Sequence, residues 1–333
     1  MTTAGAPELA TPGRTDPGPA APAQTASPPW GDRIFRGLTV FFAALVLILI
    51  LAILAALLVD GWPAFSTFGL SFLWSTEWDP VREKFGALAP IWGTVFSSSI
   101  AILIATPISL GIAVFLTEMA PPWLERPVGL AIEMLAAVPS IIYGMWGLFV
   151  LAPILARTVQ PWLKEYLGAF ALFRGPTMGI SMMTGSLILA IMIIPFIASV
   201  TRDVFQLVPP MAKESAYGLG ATTWEVVRSV VIPYTRSGIV GAIFLGLGRA
   251  LGETMAVTFV IGNAHKISLS LLEPSNTISS TLANEFAEAT GDLHLASLIA
   301  LGFILFLITT IILSLAKLLL WRISRQVQGG TNR

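Results

Sequence analysis

Lys213-Glu214-Ser215-Ala216-Tyr217-Gly218-Leu219-Gly220, then nine residues, then Val230-Val231-Ile232-Pro233, is the stretch from which the rest of the chain can be read. Its punctuation is dense. Pro209-Pro210 can open a short helix, because proline is tolerated in the first turn. Gly218 and Gly220 should break that helix after Tyr217. Thr222, three residues ahead of Glu225, has the spacing of a capping box and predicts a second short helix. Pro233 is expected to end that second helix. An apolar run follows, carrying Gly248-Arg249-Ala250-Leu251-Gly252-Glu253 within it.

Composition sets the class. Of 333 residues, 55% are hydrophobic and only 11% charged, against roughly 25% charged in a soluble domain. The mean hydropathy is +0.80. Lys plus Arg and Asp plus Glu number 19 each, which argues against nucleic-acid binding, where a basic excess is needed. The absence of cysteine removes disulfides, Fe–S clusters and thiolate zinc sites, and two histidines are too few for a metal centre, so no metal is expected. No G-x-x-x-x-G-K-[ST] phosphate loop occurs, and no lysine follows a glycine. No nucleotide or other cofactor is therefore expected in this chain.

About 20 apolar residues cross the hydrocarbon layer, and six such runs are predicted: Ile34–Val59, Ile91–Thr117, Val128–Leu151, Met183–Val204, Gly238–Gly262 and Leu293–Leu320. Pro107, Pro139 and Pro195 fall inside the second, third and fourth. Residues 1–32 form a Pro/Ala-rich tail, expected to be disordered because it cannot bury enough surface to offset its ordering entropy; it lacks the basic start and apolar core of a signal peptide. Residues 33–325 form the membrane domain, with the loop 207–237 projecting from it, and 326–333 a short tail. Placing both termini in the cytoplasm puts twelve basic residues inside and six outside, the asymmetry the positive-inside rule favours. The loop 207–237 is then cytoplasmic. Trp62, Trp74, Trp78, Trp92 and Trp162 fall on the other side, as interfacial belt residues or as contacts for an external partner.

Glu214-Ser215-Ala216, Gly220 and Val230-x-Ile232-Pro233 resemble the EAA signature of ABC-importer permeases, with Ser215 in place of an alanine and Ile232 in place of a leucine. The resemblance implies an all-α, polytopic membrane protein of six transmembrane helices with the type I (MetI-like) importer architecture. It also implies that the first short helix couples to an ATPase subunit through Glu214, Ser215, Ala216 and Gly220, with Pro233 closing the motif. The chain would be no enzyme, since ATP would be used by partner subunits.

Arg249 lies eleven residues into the predicted fifth span, about 16 Å deep at 1.5 Å per residue. Glu253, four residues on, would share its helix face. Two readings are open. The pair neutralises itself, or the guanidinium fork binds a tetrahedral oxyanion. In the second case a neighbouring carboxylate favours an anion that still carries a proton, as hydrogen phosphate does and sulfate does not. Glu133 either lines the same path or extends its carboxylate toward the cytoplasm. Gly248 and Gly252 allow close helix packing. Thr94, Ser97, Ser98 and Ser99 offer hydroxyls to an anion or to their own helix.

Gly248 to Val257 and Glu133 to Gly144 are similar to the corresponding segments of the permease subunits of phosphate ABC importers, over roughly residues 33–325. That likeness implies passage of phosphate past Arg249 and Glu253 in a bacterial inner membrane. It also implies a second permease subunit, two cytoplasmic ATPase subunits and an external phosphate-binding protein as partners. The alternatives are the sister permease, a permease for sulfate, molybdate or a phosphonate, an ion-coupled transporter or channel, and a membrane sensor.

Overall fold

The computed structural model describes residues 30–330, with side chains described as far as Arg322. Most of the N-terminal tail, residues 1–29, and the end of the C-terminal tail, residues 331–333, lie outside the described residues. The chain falls into two units, 1–52 and 53–333. The described part of the first is a single apolar helical stretch from Trp30 whose side chains are almost all exposed, as expected of a helix whose solvent is lipid.

Among the described residues six helices are long and apolar enough to cross a membrane, and there is no strand. In chain order the long elements are α1 (Trp30–Phe68), α2 (Leu88–Met119), α3 (Pro122–Ala136), α4 (Ser140–Leu167), α5 (Met182–Gln206), α6 (Pro210–Gly218), α7 (Thr223–Leu251), α8 (Ile278–Glu285) and α9 (Asp292–Gly330, of which Asp292–Arg322 is apolar enough to span). The six-span, all-helical expectation is met. Within the second unit, α5 is the central and most buried span. Leu189, Ile193 and Ile197 are enclosed, chiefly by residues of α2 and α7 such as Ala101, Ala105 and Ala242. The Ser109 hydroxyl of α2 donates to the Ile194 carbonyl of α5 at 3.0 Å, tying two helices together where small residues let them approach.

Two predicted spans are displaced, and proline is the reason in both. Val128–Leu151 is not one helix. The chain breaks at Ala137–Pro139, separating the amphipathic α3 from α4, because the residue before a proline is pushed out of the helical region. Pro139 therefore begins a span and does not kink one. Pro233 does not end a helix either: α7 continues through it from Thr223 to Leu251. It follows a widened π-type turn, Val227–Val231. The same device recurs at Pro153 and Pro161, each two residues beyond a π turn, at Gly147–Leu151 and Leu155–Val159. A widened turn relieves the clash of the ring with the carbonyl four residues back. This is why α4 runs on to Leu167 where a loop from Ala152 was expected.

Candidate functional site

Arg249 stands in the last turn of α7, which stops at Leu251. Gly252-Glu253-Thr254 interrupts the helix before a single further turn, Met255–Thr258. The predicted continuous span from Gly238 to Gly262 is thus a broken helix. Non-helical backbone at membrane depth is tolerated only where protein or a water-filled cavity takes up its polar groups. The break also removes the geometry assumed for an i,i+4 ion pair. Among the described residues Arg249 has no carboxylate partner, and its guanidinium carbon sits 5.9 Å from the Phe196 ring centroid, at the outer limit of a cation–π contact. Glu253 turns the other way: its Oε1 accepts the Ala256 N–H at 3.1 Å, closing the first turn beyond the break. Arg249 is exposed, as are Leu245, Gly252 and Met255 around it. Gly248 backs onto Leu313 of α9, whereas a Cβ at Gly252 would meet no other helix, so only the first glycine serves packing. The Thr94 hydroxyl bonds Pro90 and Ile278 within the protein, and those of Ser97 and Ser99 bond their own helix.

The loop between α5 and α7 has the anticipated local structure. Pro210 opens α6, which ends at Gly218. Gly220 takes φ +86° with no atom within 4 Å of a would-be Cβ, so conformation and not space requires glycine there. Thr222 and Glu225 form the capping box. Glu214 and Ser215 are exposed, while Ala216 packs on a cluster that includes Phe205, Val208, Val226 and Val231. The knob also exposes apolar side chains: Met211 and Leu219 are 77% and 91% exposed.

Glu133 lies on α3 and not within a span. Its Oε1 accepts from Arg202 Nη2 of α5 at 2.7 Å, and the same guanidinium lies over Gly129 one turn earlier. The structure does not bring Glu133 to Arg249 and Glu253 by any contact.

A cluster at the opposite end of the bundle from the α5–α7 loop was not anticipated. The only two histidines of the chain converge on one carboxylate. Glu285 accepts from His265 Nε2 at 2.9 Å, His294 Nε2 at 3.0 Å and Trp78 Nε1 at 2.7 Å. Asn276 Nδ2 donates to His265 Nδ1, which leaves the proton on Nε2 to face Glu285. His265 stacks on Trp78 and His294 on Phe85. Burial alone would raise the Glu285 carboxyl; the hydrogen bonds from His265, Trp78 and His294 outweigh it and hold the pKa below the usual 4.5. Ionised Glu285 therefore stabilises the fold above that ordinary value, and the contribution is lost as pH falls through the lowered folded value. Glu285→Gln is expected to cost about 1–3 kcal/mol at neutral pH and to flatten the acid limb of the melting temperature measured in detergent. Two loops, the end of α8 and the first turn of α9 supply these groups, and no sequence spacing relates them. Among the described residues no group of three His, Asp or Glu is placed to hold a metal.

Six spans, a helix–glycine–helix knob between the fourth and fifth of them and an exposed arginine at a helix break are the features of an importer permease. Solved structures of that class match this chain. One is a bacterial ABC transporter involved in import of the acidic polysaccharide alginate (TM-score 0.58, 15% identity, 88% of this chain and 98% of that one). Another is the inward-facing MetNI methionine ABC transporter (TM-score 0.54, 16% identity, 74% and 99%). At such identities the likeness concerns the fold. Residues 105–325 match the family described as binding-protein-dependent transport system inner membrane component. The phosphate transport system permease protein PstC of Mesorhizobium japonicum is 60% identical over 88% of this chain and 90% of its own length, and that of Pasteurella multocida 58% over 89% and 93%. A probable PstC of Methanocaldococcus jannaschii is still 35% identical over 84% and 90%. The chain belongs to the family of binding-protein-dependent transport inner membrane components and, within it, groups with the PstC permeases. It is a multi-pass membrane protein.

Proposed function

We propose that this chain is the permease subunit, in a bacterial inner membrane, of an ATP-driven importer that carries inorganic phosphate by alternating access. The relatives named phosphate permeases supply the substrate, and one observation carries the mechanism: Arg249 is charged and exposed, and among the described residues no carboxylate pairs with it. Arginine near the middle of a bilayer costs roughly 2.5–3.5 kcal/mol even on insertion scales. A face bearing it cannot rest against lipid; it belongs against a second permease subunit, with an aqueous path between the two. There the planar fork of donors suits a tetrahedral oxyanion. Glu253, with one oxygen held by Ala256, has a second acceptor oxygen for the proton of hydrogen phosphate.

The remaining parts follow the same reading. Both termini and the 207–237 knob are cytoplasmic. Two ATPase subunits dock on the exposed side of α6 and use the ATP. An external phosphate-binding protein delivers the solute to the opposite face. This chain makes no bonds and needs no cofactor of its own.

The test is uptake of labelled phosphate by cells lacking their own phosphate importer and expressing this chain with its partners. Uptake that excess sulfate leaves unaffected is expected; equal inhibition by sulfate would identify a general oxyanion permease. In the same assay Glu253→Gln should lower the preference for phosphate over sulfate roughly 10- to 100-fold, the worth of one charged hydrogen bond. An unchanged preference would remove Glu253 from substrate selection.

A further inference from the structure

The α6 helix would meet the ATPase with its exposed side, and the question is what its other side holds. Covalently it continues through Leu219–Thr222 into α7, which carries Arg249. It also has a second attachment. Lys213 Nζ lies 2.5 Å from Glu118 Oε1, 95 residues away in the last, widened turn of α2. The Glu118 side chain is only 4% exposed and that of Lys213 20%. The pairs Lys84–Glu77 and Arg82–Asp79, by contrast, have at least one side chain more than half exposed.

That difference in burial decides what the contact can do. An exposed pair exchanges with water and transmits nothing. An enclosed carboxylate cannot release its lysine without leaving a buried charge uncompensated, so the two move together. We infer that Lys213 and Glu118 form a mechanical link by which displacement of α6 drives α2, as a second line of transmission beside α7. They are positioning residues, since neither touches the solute. The inference rests on the reading that ATPase subunits dock on α6.

The path beyond Glu118 is continuous. α2 is a single helical rod of 32 residues, about 48 Å at 1.5 Å per residue. Midway, Ser109 joins it to α5. At its far end the Thr94 hydroxyl accepts the Ile278 N–H at 2.9 Å, and Gly93 lies hard against the Asn276 backbone. Asn276 and Ile278 belong to the segment that leads on from the Gly252–Thr254 break. A displacement at Lys213 therefore reaches both ends of the region containing Arg249 and Glu253: through α7 from one side, and through α2 and the 276–278 segment from the other.

The test uses the complete transporter in proteoliposomes, measuring ATP hydrolysed and labelled phosphate moved in the same vesicles. Lys213→Met and Glu118→Gln should keep ATP hydrolysis within about twofold of the unaltered complex while phosphate moved per ATP falls at least tenfold. The charge-exchanged double variant, Lys213→Glu with Glu118→Lys, should recover at least half of the coupling. A merely structural pair would lower the yield of complex without changing the ratio. Single variants that transport as much per ATP as the unaltered chain would overturn the link while leaving docking intact. Should the single variants fail to assemble, the double variant decides: coupled transport supports the link, and an uncoupled or unassembled complex counts against it. Failure of the unaltered chain to bind the ATPase subunits would refute the docking reading itself.

Discussion

Arg249→Ala is expected to lower phosphate uptake at least about 100-fold while the amount of assembled transporter in the membrane stays the same. The magnitude follows from losing two charge-assisted hydrogen bonds to one anion, each worth roughly 1.5–3 kcal/mol, at tenfold per 1.4 kcal/mol. Assembly should survive because the guanidinium does little for the fold. Its cation–π neighbour Phe196 is at the edge of useful range, and among the described residues no carboxylate is stranded by its removal. Arg249→Lys should fall between: the charge remains, but the planar fork does not. The contrary result, uptake within about threefold of the unaltered chain, would mean that the solute passes elsewhere.

Gly93→Ala is expected to give the largest loss of stability of any single methyl addition in α2. A Cβ at Gly93 would overlap the Asn276 carbonyl oxygen and come within 2.9 Å of its carbon. Backbone cannot swing aside as a side chain does. Moving Asn276 disturbs its bonds to His265 and Thr281 and the Thr94–Ile278 bond beside it. Overpacking costs roughly 1–3 kcal/mol, and each strained bond about 1 kcal/mol more. A total near 4 kcal/mol corresponds to a melting temperature lower by roughly 10 °C, taking the scale of soluble domains. Gly111→Ala is the control on the same helix. Nothing lies within 4 Å of its Cβ, so helix propensity alone should make it neutral or more stable by up to about 1 kcal/mol. Thermal unfolding of the two variants in detergent separates close approach from a general intolerance of side chains.

The α5–α7 loop was legible from sequence because its structure is decided locally. A proline that opens a helix, a glycine held at positive φ and a threonine–glutamate capping box each act within four residues, and their spacing survives into three dimensions. Apolar length likewise revealed six spans. Where the spans begin and end was less visible. Val128–Leu151 is apolar throughout, and Pro139 looks the same on paper whether it kinks a span or starts one. Pro153, Pro161 and Pro233 sit inside continuous helix because π turns precede them, and π turns leave no sequence mark of their own. At Arg249 the sequence contained the warning: Gly252 stands where a helix commonly ends, and of the two readings left open the i,i+4 ion pair is the one the fold does not make. Glu133, assigned to a span, is held instead by Arg202 from another helix. Lys213–Glu118 and the Glu285 cluster hydrogen-bond residues up to 207 positions apart, so only the packed fold brings them together.

The account stands most directly on one measurement: accumulation of labelled phosphate in proteoliposomes containing this chain, its second permease subunit and the ATPase subunits, with the external binding protein supplied. It predicts accumulation that requires hydrolysable ATP on the side of the 207–237 loop, disappears with Arg249→Ala and is indifferent to excess sulfate. Phosphate accumulating without ATP or without the ATPase subunits would contradict it.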